Sequence, residues 1–182
     1  MPLNRRVFIV AAAAMAFPVA SKAKSKDPIR LAIGDDLDAQ LMAALAAKAL
    51  RKSGFKVEMI EIGDGQALDA LISGAVHAHV SLPRSAALEA AIDDKAVRSL
   101  GGRVGNKRDE PVLKLVSVAM KKKWPDAQKM LKRMVLSDAR LAELSALVAG
   151  GASVGDAVDA WWKANRKTWS PWIAASKNWM KP

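Results

Sequence analysis

Three times between residues 29 and 96 the chain passes from a short aliphatic run into a segment of helical period, and this alternation limits the fold more than any other feature. "IRLAI" (29–33), "FKVEMIEI" (55–62) and "VHAHVSL" (76–82) read as strands. Each leads into a helix. The first runs to about Ser53, with Leu41, Leu45 and Ala49 on one face, Asp36 or Asp38 as its N-terminal cap and Gly54 as its stop. The second, "QALDALISG" (66–74), ends at Gly74, and Pro83 closes the third strand before "RSAALEAAIDDKA" (84–96). A β-α-β-α-β-α order favours a parallel sheet covered by helices through right-handed crossovers.

The second half is mostly helical. "GGRVGNKRDEP" (101–111) reads as a polar loop and "VLKLVSVAM" (112–120) as a fourth strand. A helix follows with Pro125 in its first turn. The next is capped by Ser137 and stopped by Gly150, and a third opens on Ser153 with Asp156 three residues on, close to a capping box. The expected class is α/β, with a mostly parallel sheet of four to five strands flanked by helices and a helical C-terminus.

Residues 1–23 read as a signal peptide. Arg5 and Arg6 precede an apolar run from Val7 to Phe17, and Ser21-Lys22-Ala23 is a plausible cleavage site. "RRVFI" resembles part of the twin-arginine export motif, so either that route or general secretion fits, and an uncut membrane anchor is the alternative. Residues 24–28 form a flexible leader, and 29–182 a single α/β unit in the periplasm. The formal net charge of +11 includes Arg5, Arg6 and Lys22 of the signal. No nucleic-acid motif accompanies it, so nucleic acid is not an expected partner. Lys121, Lys122 and Lys123 read as a solvated junction. The absence of Cys excludes disulfides, thiolate catalysis and Cys-zinc sites.

"IRLAIGDDLDAQLMAALAAKALRKSGFKVEMIEI", "ALDALISGAVHAHVSLPRSAA" and "LSDARLAELSALVAGGASVGDAVDAWWKANRKTWSPWI" together resemble the substrate-binding proteins of glycine betaine/choline ABC importers. In the tail the likeness lies in Trp161 or Trp162, Asn165, and Trp169 or Trp172. The resemblance covers about residues 29–100 and 112–173. It implies one lobe of a type II periplasmic binding protein. Relatives have two lobes that close on the ligand, the second inserted within the first. Here only a short stretch centred on 101–111 stands where that lobe is expected, so the resemblance implies a one-lobe relative.

The resemblance also implies an altered site. Relatives hold a quaternary ammonium in a box of rings, because a cation is drawn to the face of a π-system. Where a Trp typically follows the first strand, this chain has Asp35 and Asp36, and Ser81 stands in the place of the Trp in a Trp-Leu-Pro run. The candidate ligand-binding residues at the carboxyl edge of the strands are Asp35, Asp36, Gln40, Ser81 and Arg84. Five of the six Trp lie in the last 22 residues, and there is no Tyr. These rings read as helix packing, or, for Trp169, Trp172 and Trp179, as contacts for a partner.

His77 and His79 alternate on a predicted strand and form a candidate zinc or copper pair, or else two hydrogen-bonded neutral histidines. Met120, Met130 and Met134 read as core filling. "GDGQAL" lacks a third glycine for a dinucleotide site, and no nucleophile elbow surrounds Ser81. No enzyme signature or cofactor is expected. Three readings remain open: a binding component for a quaternary ammonium or other small solute beside an ABC permease, a periplasmic interaction module that docks on a membrane or periplasmic protein or pairs as a homodimer, and a metal-binding protein.

Overall fold

The computed structural model describes residues 27–104 and 111–173. The expected signal peptide and Trp179 lie outside them. Strand β1 (Ile29–Ile33) leads into helix α1 (Leu37–Lys52), β2 (Val57–Glu61) into α2 (Asp64–Ser73), and β3 (Ala78–Pro83) into α3 (Ala86–Asp93). After β4 (Val97–Gly102) and β5 (Val112–Ser117) come α4 (Val118–Lys123), α5 (Pro125–Arg133), α6 (Asp138–Ala149), α7 (Val154–Ala164) and α8 (Arg166–Ile173). No helix among the described residues is long and apolar enough to cross a membrane.

The helix boundaries follow local chemistry. Asp36 accepts the Ala39 N–H, Ser137 that of Arg140 and Ser153 that of Asp156, so each cap satisfies a donor the first turn leaves free. Gly54 and Gly74 have φ of +79° and +75°, a left-handed backbone that glycine adopts at no steric cost. Pro125 enters α5 in its first turn, where no intrahelical N–H is lost.

The five strands form one sheet in the order β2-β1-β3-β5-β4. β1 pairs in parallel with β2 and β3, whereas β5 runs antiparallel to both of its neighbours, β3 and β4. Four strands therefore point one way and β5 the other. This is the expected α/β class with two local corrections. β4 was not expected, because "VRSLGG" ends in two glycines and leaves Arg98 and Ser99 exposed, which blurs the strand period. The fourth expected strand stops at Ser117, and Val118–Met120 begin α4 instead. The apolar residues of "SVAM" fit either period over so short a run.

The sheet divides the interior into two cores. One holds Leu31, Leu41, Leu45, Trp124, Trp161 and Trp172, under α1 and the C-terminal helices. The other holds Leu71, Leu82, Leu88, Leu113 and Leu115, under α2 and α3. α1 is buried on most of its circumference, with Ala39, Met42, Ala46 and Leu50 all inside, and it contacts the sheet, α6, α7 and α8. Lys114 is fully buried within β5, and its Nζ donates to the carbonyls of Lys132 (3.1 Å) and Met134 (2.6 Å) at the end of α5. A cation there meets the negative end of a helix and two carbonyls that the helix leaves free.

The Trp cluster is internal. Trp162 and Trp169 stack with centroids 4.3 Å apart, and Trp161 lies near parallel to Trp172 at 6.3 Å. The indole N–H of Trp169 donates to the Trp162 carbonyl at 2.7 Å. Trp169 and Trp172 are 8% and 3% exposed. The partner-contact reading of these two residues is therefore corrected, because both rings are used to fix α8 onto α7.

Candidate functional site

The turn "GDD" after β1 links the ends of three elements. Asp36 caps α1, its carboxylate 2.7 Å from the Ala39 nitrogen. Asp35 reaches sideways to the next strand's exit, where its carboxylate accepts the Asp64 N–H at 3.1 Å. α2 begins at Gly63 with no side-chain cap of its own, so Asp35 supplies one from a distance in sequence. Gln40 donates to the Asp35 carbonyl at 3.1 Å and steadies the turn. The Ile62 N–H donates to the Ile33 carbonyl and carries the pairing of β1 and β2 up to this edge.

A groove of about 490 Å³ opens beside the turn, between the ends of β1 and β2, the first half of α1 and the start of α7. Asp35, Gln40 and Glu61 are its polar walls; Met59, Ile62 and Val154 are apolar ones. None of the lining residues is aromatic. It lies at the carboxyl ends of the strands, where open α/β sheets bind ligands.

The five sequence candidates divide. Asp35 and Gln40 line the groove. Asp36 is beside it, occupied as a helix cap. Ser81 is 3% exposed within β3, so it is corrected from a ligand contact to an interior residue whose N–H donates to His79 Nδ1 at 3.3 Å. Arg84 pairs with Glu89 at 2.6 Å on α3 and does not line the groove. Glu61, Met59 and Val154 were missed. Glu61 had a legible signal, as a carboxylate closing the second strand; Val154 comes from a helix that only tertiary structure brings here.

Beneath the groove lies a second, buried arrangement. His79 is 1% exposed and its Nδ1 accepts from Ser81, so in the neutral ring the proton sits on Nε2. That nitrogen is 3.8 Å from Asp64 Oδ1, and neither atom has a hydrogen-bond partner. A Cβ at Gly34 would come 2.7 Å from Asp64 Oδ1, 2.9 Å from the Ala39 Cβ and 3.3 Å from His79 Nε2, so only glycine fits over the pair. Burial raises the Asp64 pKa, with the charges of Asp35 and Asp36 adding to it.

His77 has different surroundings. Its Nδ1 accepts the Arg30 N–H at 2.9 Å, and its ring lies 4.5 Å from that of Trp124. The two histidines thus have separate partners. Among the described residues no group of three or more His, Asp or Glu could hold a metal ion.

Burial lowers both histidine pKa values from 6.5 to about 4, aided at His77 by Arg30 and Lys123. As pH falls below 6.5 the unfolded chain gains protons that the fold refuses, so stability is lost between 6.5 and about 4. His79 alone is expected to cost about 2 kcal/mol between pH 7 and 5. Asp64, its pKa raised, works the other way at the acid end of that window. Urea unfolding at pH 7, 6 and 5 measures this; His79→Gln should flatten the slope, and an unchanged slope in that variant would refute the assignment.

No family model matches the sequence. Three solved structures are similar in fold. Lactococcal OpuAC, in a closed-liganded conformation complexed with glycine betaine, gives a TM-score of 0.69 at 12% identity, over 81% of this chain and 100% of that one. An ABC-transporter choline binding protein in complex with choline gives 0.72 at 10% identity, over 81% of this chain and 92% of the other. The glycine betaine/L-proline-binding protein ProX from Borrelia burgdorferi gives 0.67 at 10% identity, over 82% and 100%. At such identities the likeness is one of fold. The described chain, with its single five-stranded sheet, has the fold of one lobe of a periplasmic binding protein, similar to these glycine betaine and choline binding proteins.

Proposed function

We propose that this is an exported, periplasmic solute-binding-like protein that works beside an ABC permease, with a site altered from aromatic rings to carboxylates. The observation that carries the reading is the groove at the carboxyl edge of β1 and β2, walled by Asp35 and Glu61, on a fold similar to proteins solved with glycine betaine or choline. Two carboxylates favour a net cation over a zwitterion, so choline should bind better than glycine betaine. Half-enclosed, the groove should hold it weakly, with Kd in the region of ~1 mM.

Calorimetry of the protein with choline, glycine betaine and zinc tests this. Saturable choline heat, weakened about two- to fivefold by Glu61→Gln, is the expected result. Betaine binding as tight as choline would refute the carboxylate site. A second reading, an interaction module or homodimer, rests on the groove's lack of an opposing jaw among the described residues. No heat with any ligand, together with a co-purifying partner, would favour it. Zinc heat lost in His77→Ala would favour the metal-binding alternative.

A further inference from the structure

The groove at the strand edge continues past Ala44, Met59 and Val154 into a larger hollow of about 710 Å³, between the second half of α1, β2 and α7. That volume lies within the range of roughly 300–1,000 Å³ usual for small-molecule sites. Its floor is apolar: Met59, Val158 and Trp162, whose ring is backed by Trp169. Its rim is cationic. Lys48 lies 5.9 Å above the Trp162 ring and pairs with Asp159, the one acid among the lining residues. Arg51, Lys52 and Lys163 complete the rim, all exposed.

An apolar floor under a positive rim matches one ligand chemistry. We propose that this hollow binds a single-chain amphiphile with a carboxylate head, its acyl chain on Met59, Val158 and Trp162 and its head among Arg51, Lys52 and Lys163. The chain's own undescribed ends are poor occupants. Residues 1–26 carry Arg5, Arg6, Lys22, Lys24 and Lys26, residues 174–182 carry Lys177 and Lys181, and neither stretch has an Asp or Glu side chain. Either would bring like charge to the rim. The site is opposite in charge to the strand-edge groove and does not depend on it.

The test uses the full chain and dodecanoate below its micelle-forming concentration, read by calorimetry and Trp fluorescence. Saturable binding is expected, gaining up to roughly fourfold per methylene from octanoate to dodecanoate. Octanol, with the same eight carbons as octanoate but no charge, should bind at least about fivefold more weakly than octanoate, since the rim offers it no ion pair. The double variant Lys52→Glu, Lys163→Glu should lose about tenfold or more for dodecanoate. Gly155→Phe is the second variant. A Cβ there meets nothing nearer than Ser153 Oγ at 3.7 Å, so the fold should tolerate it while the ring narrows the hollow. Its melting curve should match the parent while dodecanoate binding falls. Equal affinity for octanoate and octanol, or undiminished dodecanoate binding in both variants, would overturn the proposal. So would binding to anionic phosphatidylglycerol vesicles without binding of monomeric dodecanoate, which would assign the charges to a membrane surface.

Discussion

Trp169→Ala should cost about 3–5 kcal/mol in urea unfolding, a large share of the roughly 5–15 kcal/mol that holds a domain of this size. The ring is buried and stacked on Trp162, and its N–H donates to the Trp162 carbonyl. Truncation therefore leaves a cavity and an acceptor without its donor. Trp169→Phe keeps a ring in the stack and loses the N–H, so it should cost about 1–2 kcal/mol. A surface ring kept for a partner would behave differently. Its removal would change stability by no more than about 0.5 kcal/mol. A small effect at Trp169 would restore the partner-contact reading and undo the account of how α8 is held.

Lys114→Ala should cost a comparable amount, about 3–4 kcal/mol. The ammonium is fully buried, and the carbonyls of Lys132 and Met134 compensate its desolvation. Removing it strips charge-assisted hydrogen bonds from the end of α5 and empties the space of three methylenes and the ammonium. Lys114→Met separates the two effects. It refills most of the space but still orphans the carbonyls, so it should recover only part of the loss. Full recovery in Lys114→Met would mean that packing alone matters there and that the ammonium does not hold the helix end.

Local rules made much of the fold legible. Asp36, Ser137 and Ser153 are caps because a short acceptor precedes a helical period, and Gly54 and Gly74 stop helices because the chain turns left-handed at them. What stayed hidden depends on contacts distant in sequence. β4 carries a weak strand pattern and is fixed by pairing with β5. Lys114 breaks the apolar run of its strand, and only the position of α5 explains why a charge is tolerated there. At the candidate site the sequence placed Asp35 and Gln40 just after the first strand, where the groove opens. It could not reveal that Asp35 also caps a helix 29 residues away. Ser81 and Arg84 share that strand-end logic, yet one points inward and the other is engaged by Glu89.

The meeting of β4 and β5 has an architectural consequence. Gly102 lies opposite Leu113 on adjacent strands, so the chain leaves and re-enters the sheet at nearly the same point. Strands so placed are about 5 Å apart. Any foreign module whose own ends lie that close could be spliced in between them, leaving every ladder bond of the host in place. The junction is a ready-made port for domain grafting.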